Sequence, residues 1–407
     1  NRIRVVLLEN IHHRGAQMLR EEGFEVETLT GSPDRAKLLR LVKDAHVLGI
    51  RSKTDLPAEV QDAGERLLAV GCFCIGTNQV DLGHARRRGM AVFNSPYSNT
   101  RSVAELTIAE VVALSRRLVD QSVRMHAGGW DKSASGAHEV RGRTLGIVGY
   151  GHIGSQVSVL AEAMGMRVIF HDIVPKMALG NARPVKDLGT LLKESDVVTL
   201  HVPATAATKN LIGAAHLRRM KAGAHLINNA RGSVVDVAAL AEAIRSGHVG
   251  GAALDVFPNE PASKDEAFES EVRGLPNVIL TPHVGGSTEE AQESIAEDVA
   301  GKLIKFINVG TTTGAVNVPE VELPAQEPHE EGTKRRRHRV LHFHRNMPGV
   351  LSVLHKAVAS LGANISAEYL RTLDDIGYVV LDVDPTNGDE QAAKLRAMPE
   401  TVRVRVL

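Results

Sequence analysis

The sequence predicts an α/β protein: two doubly wound parallel-sheet domains followed by a small ferredoxin-like domain. Three observations carry this. Short apolar strands alternate with charged helices over most of the chain, the pattern of parallel sheets joined by crossover helices. Near residue 326 a charged stretch punctuated by proline loses all apolar periodicity and reads as a linker. The segment after it runs in β-α-β-β-α-β order. A length of 407 residues suits two or three domains at about 150 residues each.

The elements follow in order. From Ile3 to about Phe93, IRVVLLE, HVLGIRS and LLAVGCFC are strands, and REEGFEV and DLGHARRRGM are helix ends with a glycine stop before the next strand. A long helix is expected from about Ser102 to His126. TLGIVGYG is a buried strand ending in glycines. MRVIFHD, SDVVTLHVP, AHLINNARG, VGGAALDVF and NVILTPH are further apolar runs, each followed by loop residues, as a doubly wound sheet requires. The segment STEEAQESIAEDVAGKLIKFINVG is a helix that returns the chain to the first region. The expected domains are 1–98 with 286–325, then 99–285, a linker 326–337, and 338–407. In the last domain VLHFH, a helix from Pro348 to Leu361, NISAEYLRT, GYVVLDVD, a helix from Glu390 to Met398, and VRVRV supply the six elements.

Composition excludes several classes of function. With 43% hydrophobic and 24% charged residues the chain is neither disordered nor fibrous. Forty-eight Lys and Arg cancel 48 Asp and Glu, so no global field draws it to nucleic acid or to an anionic membrane. Neither is expected as a partner. Cys72 and Cys74 are too few for a disulfide framework or a zinc site, so no metal is expected and a reducing, cytoplasmic setting is. They sit at i and i+2 of one strand, facing one side as buried structural thiols. No apolar run is long enough to span a bilayer. The opening NRIRVVLLEN lacks the apolar core of a signal peptide, and a start without Met suggests trimming.

Gly149-x-Gly151-x-x-Gly154 lies between a strand and a helix. Its glycines permit a tight turn and close approach of backbone to a pyrophosphate, and the helix N-terminus offers free N–H groups. Asp172 ends the next strand, 18 residues beyond Gly154. An acid there binds ribose hydroxyls and repels a 2′-phosphate, so this Rossmann-like domain should prefer NAD to NADP. Arg231, Glu260 and His283 each follow a strand of the same sheet. An imidazole that shuttles a proton needs a carboxylate to fix its tautomer and raise its pKa, and a guanidinium can grip a substrate carboxylate at two points. A lone histidine at a strand end is more often a surface residue; the convergence of three groups is what points to catalysis.

With GCFCIGTNQVD, SNTRSVAE, GIVGYGHIGS, HVP, INNARGSVVD, GAALDVFPNEP, LTPHVGGST and HFHRNMPGVL, the chain resembles the D-2-hydroxyacid dehydrogenase family in its long form, over nearly its whole length. The resemblance implies two α/β domains plus a C-terminal ACT domain, usually as a homotetramer. It implies NAD-dependent oxidation of 3-phospho-D-glycerate to 3-phosphooxypyruvate on the way to L-serine, with Arg231, Glu260 and His283 as the catalytic trio. Cofactor contacts carry over to His152, Ile153, Asp172, Asn229, Ala230, Arg231, Asp255, His283, Val284, Gly285 and Gly286. Because the expected site lies between two domains, closure should accompany turnover. INNARG departs from the more familiar INASRG, although the Arg keeps its place.

Arg51, Ser52 and Lys53 match a basic substrate loop, with Lys53 where related enzymes carry Arg; an exposed basic loop is the competing reading. Gly76, Thr77 and Asn78 can offer amides to the substrate carboxylate, and Asn99 lies near the domain crossing. L-Serine is the expected effector, held by His344, Asn346 and Asn364 around the HFHRNMPGV loop. Here Arg345 stands where an acid is expected, and the competing reading makes His344 a strand residue and Asn364 a helix-exit residue. The run Lys334 to Arg339 reads as a solvated linker or an anion site between domains. Trp130, the only Trp, is either a subunit-interface anchor or partly buried core. Two rival functions stand: another 2-hydroxyacid dehydrogenase, such as a glyoxylate or hydroxypyruvate reductase, and a non-catalytic NADH sensor.

Overall fold

The computed structural model describes residues 2–261, 265–324, 338–384 and 388–407. Five strands form the first sheet: β1 (Arg4–Leu7), β2 (Glu25–Thr28), β3 (Val47–Ile50), β4 (Ala69–Cys72) and β5 (Ala91–Asn94), in order β2-β1-β3-β4-β5 and all parallel. Seven form the second: β6 (Thr144–Val148), β7 (Arg167–His171), β8 (Arg183–Pro184), β9 (Val197–Leu200), β10 (Ala224–Asn228), β11 (Val249–Leu254) and β12 (Val278–Leu280), in order β12-β11-β10-β9-β6-β7-β8. The central strands are buried along their whole length because helices cover both faces, which is why they read as unbroken apolar runs. The third sheet is antiparallel: β13 (His338–Arg345), β14 (Ile365–Leu373), β15 (Ile376–Val383) and β16 (Thr401–Val406), in order β14-β15-β13-β16.

The chain forms two compact units, residues 99–291 and residues 1–98 with 292–407. In the latter the long helix Glu289–Asn308 sends Ile295, Val299, Leu303 and Phe306 into the core of the first sheet, beside Val5, Leu7 and Phe93. The same core takes in Leu341, Phe343, Tyr378 and Val380 of the third sheet. The C-terminal sheet is therefore joined tightly to the first one. The Tyr378 hydroxyl donates to the Gly310 carbonyl at 2.6 Å, and Arg405 donates to the Ile307 carbonyl at 2.7 Å. Arg405 thus caps the C-terminal end of the long helix, where a cation complements the helix dipole. Arg403 donates to the Leu67 carbonyl, and burial pushes its guanidinium down to about 10, still charged at neutral pH.

Several expectations need correction. The helix expected from Ser102 to His126 is two helices, Thr100–Arg116 and Leu118–His126, broken at Arg117 with φ +52°. The second helix is held by its Asp120 carboxylate, which accepts the Asn277 backbone N–H at 2.9 Å, and none of its residues is buried. β4 ends at Cys72, so Cys74 lies beyond the strand, its thiol bonded to the Gly76 carbonyl. Arg339 is not a solvated linker residue: it is 1% exposed and grips Asp382 at two points, both 2.7 Å. Trp130 is 73% exposed, so the core reading fails. The linker 326–337, with Lys334 to Arg337, lies outside the described residues. No helix among the described residues is long and apolar enough to cross a membrane.

Candidate active site

The Gly-rich turn joins β6 to the helix His152–Ala163, and its three glycines do three different things. Gly149 has φ +90°, and a Cβ there would lie 2.4 Å from the His201 carbonyl oxygen. A Cβ on Gly151 would meet nothing within 4 Å, so this face of the turn is open to a ligand. A Cβ on Gly154 would sit 2.2 Å from the Gly149 carbonyl oxygen, so only glycine lets the helix pack onto the turn. The helix has no side-chain cap at its N-terminus, where His152 and Ile153 form the first turn. The turn lies where the strand order reverses, between β6 and β9, which is where open α/β sheets bind nucleotides. Asp172, just past β7, accepts the Tyr150 N–H at 2.8 Å and the Val174 N–H at 2.9 Å. A carboxylate has about four lone-pair sites, so acceptors remain for ribose hydroxyls. These residues fit a dinucleotide.

Arg231, Glu260 and His283 follow β10, β11 and β12, three neighbouring parallel strands, at their carboxyl ends. Glu260 Oε2 and His283 Nδ1 are 2.9 Å apart. The other carboxylate oxygen accepts the Phe257 N–H at 3.1 Å, which aims the acid. A carboxylate can only accept, so Nδ1 carries the hydrogen and Nε2 is left to take up a proton. His283 sits at φ +54°, a left-handed conformation rare outside glycine and costly enough to mark a functional position. Asp255 holds its loop. The buried Asp255 carboxylate accepts the Thr281 hydroxyl at 2.6 Å and the N–H groups of Val284 and Gly285 at 2.8 and 2.7 Å. Gly286 lies against Asn99, the residue that begins the helix Thr100–Arg116.

The Arg231 loop is equally constrained. The Asn228 side chain spans it, accepting the Ala230 N–H at 3.1 Å and donating to the Arg231 carbonyl at 3.0 Å. Gly232 lies so close to the Phe257 carbonyl that a Cβ would come within 2.0 Å of it. Asn229, expected at the cofactor, instead turns its side chain inward to Thr107 and Glu110. Only its backbone remains for a cofactor contact. Glu110 escaped the sequence reading because a charged residue in a helix is ordinarily exposed.

In the other unit the Arg51–Lys53 loop follows β3 and the Gly76–Asn78 loop follows β4. A single residue shapes the first: the Glu9 carboxylate accepts the backbone N–H groups of Arg51, Lys53 and Thr54 at 3.1, 3.0 and 2.9 Å. Gln79 ties the two loops together, donating to the Arg51 carbonyl at 2.7 Å and the Gly76 carbonyl at 3.3 Å. Ser52, Lys53 and Asn78 are exposed, and Arg51, Gly76 and Thr77 half-buried. Glu9 also went unread, since nothing in a strand-end Glu-Asn pair signals a partner 42 residues away.

The three effector candidates separate. Asn346 and Asn364 are exposed, with Asn346 Nδ2 donating to the Asp374 carbonyl at 3.0 Å. His344 is a buried residue of β13, not of the loop, and its ring fills the space beside Gly377. The competing strand reading holds for it.

Comparison with known proteins follows the same lines. Residues 108–285 match the family model for the NAD binding domain of the D-isomer specific 2-hydroxyacid dehydrogenases. A D-3-phosphoglycerate dehydrogenase of Haemophilus influenzae is 50% identical over 100% of this chain and 98% of its own length. One from Dictyostelium discoideum is 48% identical, with the same two coverages of 100% and 98%. Among solved structures, a D-lactate dehydrogenase from Aquifex aeolicus complexed with NAD and lactic acid superposes with a TM-score of 0.64 at 29% identity, over 74% of this chain and 95% of that one.

Proposed function

Because the chain belongs to the D-isomer specific 2-hydroxyacid dehydrogenases, we propose that it oxidises 3-phospho-D-glycerate to 3-phosphooxypyruvate with NAD, the first step towards L-serine. The observation that carries the chemistry is the Glu260–His283 couple at adjoining strand ends. The substrate follows from full-length similarity to proteins named D-3-phosphoglycerate dehydrogenase.

When bound, NAD supplies the hydride acceptor for the substrate C2. The chain's own groups do the rest. His283 accepts the substrate hydroxyl proton at Nε2, and Glu260 stabilises the imidazolium through Nδ1. Arg231 pairs with the substrate carboxylate and polarises the carbonyl oxygen as it forms. Reversal returns the proton from His283. Arg51 and Lys53 are assigned to the phosphate, and Gly76, Thr77 and Asn78 to the carboxylate end; their support is the common framework that Glu9 and Gln79 build for both loops. Lys53 presents a point charge rather than a fork, which a phosphate tolerates. Self-assembly, with the homotetramer as its expected form, draws support from Trp130 and the exposed apolar residues Leu118, Val123 and Met125 on the adjoining helix.

The test is NADH oxidation with 3-phosphooxypyruvate beside glyoxylate and hydroxypyruvate. Preference for the phosphorylated acid is expected; preference for either other acid makes this a different 2-hydroxyacid dehydrogenase, and no turnover makes it a sensor. Serine regulation is tested in the same assay by adding millimolar serine to the full chain, to a chain ending near Glu327 and to the Asn346→Ala variant. Serine is expected to inhibit the full chain alone.

Cofactor choice has its own test. Asp172→Ala removes the acceptor placed for ribose and the charge that repels a 2′-phosphate. It also frees the N–H groups of Tyr150 and Val174, which weakens both cofactors, so the ratio is the informative quantity. The ratio of kcat/KM for NADH over NADPH should fall by roughly tenfold or more, the worth of one charge-assisted contact. An unchanged ratio removes Asp172 from the ribose.

A further inference from the structure

The helix Thr100–Arg116 carries a buried acid that the mechanism does not use. Glu110 is 3% exposed and lies on the inner face of the helix with Val103, Thr107, Val111 and Leu114. Its Oε2 accepts the Asn229 side-chain amide at 2.7 Å, and the same amide reaches the Thr107 hydroxyl at 3.0 Å. Asn229 lies two residues before Arg231, on the loop that Asn228 and Gly232 hold tightly from within. The Asn229 side chain is thus a tie between the Arg231 loop and the helix beneath it.

Two atoms of this tie have no hydrogen-bond partner among the described residues: Glu110 Oε1 and Asn229 Oδ1. Both are acceptors if Glu110 is ionised. A neutral carboxyl supplies one O–H donor, which is what the Asn229 amide oxygen lacks. An acid and a primary amide can then satisfy each other, whereas a carboxylate leaves unpaired acceptors in a dry interior. The helix packs on β10, β11, β12, the helix His152–Ala163 and the following helix Leu118–His126. Among the described residues, the ionisable group whose charge acts on Glu110 from these elements is Asp255, at the end of β11. Asp255 is the carboxylate that fixes the His283 loop.

We propose that Glu110 is a positioning residue: as a neutral acid it anchors Asn229 through both atoms of its amide, and with it the loop of Arg231, and its ionisation against Asp255 removes the O–H donor to Asn229 Oδ1 and so loosens that loop. The inference rests on the reading of Arg231 as the residue that binds the substrate carboxylate. Burial pushes the Glu110 carboxyl up to about 7, with the Asn229 amide pulling it down and Asp255 pushing it further up. The device therefore operates near neutral pH, and substrate capture weakens as pH rises.

The test compares the wild type with Glu110→Gln, which keeps the neutral shape and a donor for Asn229 Oδ1. Oxidation of 3-phospho-D-glycerate is followed from pH 5.5 to 9.5. Ionisations shared by the two proteins cancel in the ratio of kcat/KM, variant over wild type. That ratio is expected to stay near one at low pH and to reach about tenfold by pH 8.5, through a rise in the wild-type KM for the hydroxyacid. Glu110→Ala should lose kcat/KM at every pH, and Gln should rescue it. Thermal unfolding gives a second readout that needs no activity. A raised native pKa makes the wild type lose stability as pH climbs from the ordinary carboxyl range to about 7, so the Tm advantage of Glu110→Gln should grow over that interval and then level. A flat kcat/KM ratio overturns the positioning role, and a Tm difference independent of pH overturns the neutral acid. Should the wild type fail to oxidise the substrate, the functional reading falls and the Tm series still decides the state of Glu110.

Discussion

Replacing His283 by asparagine is expected to lower kcat by roughly 10²–10⁴, the usual worth of a positioned acid–base group. Asparagine is the better choice than alanine at this position. His283 has φ +54°, which asparagine adopts with less strain than other L-residues, so the loop held by Asp255 should survive. The imidazole is then the only thing lost. NADH binding should change little, because the Gly-rich turn and Asp172 are untouched. Glu260→Gln should lower kcat as well, by a different route: an amide can donate to Nδ1, which favours the tautomer with the hydrogen on Nε2, where it cannot accept the substrate proton. The two variants differ in what they leave behind, since only the Glu260 variant retains the imidazole. Near-normal kcat in a folded His283→Asn protein would remove His283 from the mechanism.

The largest stability loss is expected from Asp382→Ala. Arg339 is the bulkiest of the side chains less than 2% exposed, and Asp382 is its only carboxylate partner among the described residues. Removing the acid strands a buried guanidinium, which costs about 3–5 kcal/mol. The remaining contacts, to the carbonyls of Val309 and Pro324 at 3.3 and 3.0 Å, carry no compensating charge. Denaturant unfolding of the full chain measures the loss. A double variant, Arg339→Met with Asp382→Leu, should recover part of it, because an apolar pair avoids the desolvation cost. It should not recover all, because the two carbonyls lose their donor at about 1–3 kcal/mol each if they stay buried. Catalysis without effector should be nearly unchanged at temperatures where the protein is folded, since His283 and Glu260 belong to the other compact unit. A loss under 1 kcal/mol for Asp382→Ala would mean that water reaches Arg339.

What the sequence by itself determined was local. A strand, a turn and a helix N-terminus follow one another in Gly149 to Gly154, and the hydrophobic period changes where they meet. Arg231, Glu260 and His283 were readable for the same reason: each comes within a short loop after an apolar run of strand length, so its place near a strand end needs no long-range information. The C-terminal β-α-β-β-α-β order was equally plain. Tertiary structure decided the rest. Which strand ends adjoin is set by the order β12-β11-β10, and only that order brings Glu260 to His283. The break at Arg117 could not be read, because Thr100–Arg116 before it and Leu118–His126 after it both form helix. Glu9 and Glu110 looked like ordinary surface charges, Asp255 like a cofactor contact and Arg339 like part of a basic linker run. Their partners lie 42, 119, 30 and 43 residues away in the chain. The physical reason is the same for all four. Apolar burial is encoded in periodicity, whereas a buried charge is tolerated only when specific groups from distant segments meet it, and that meeting exists only once the chain has folded.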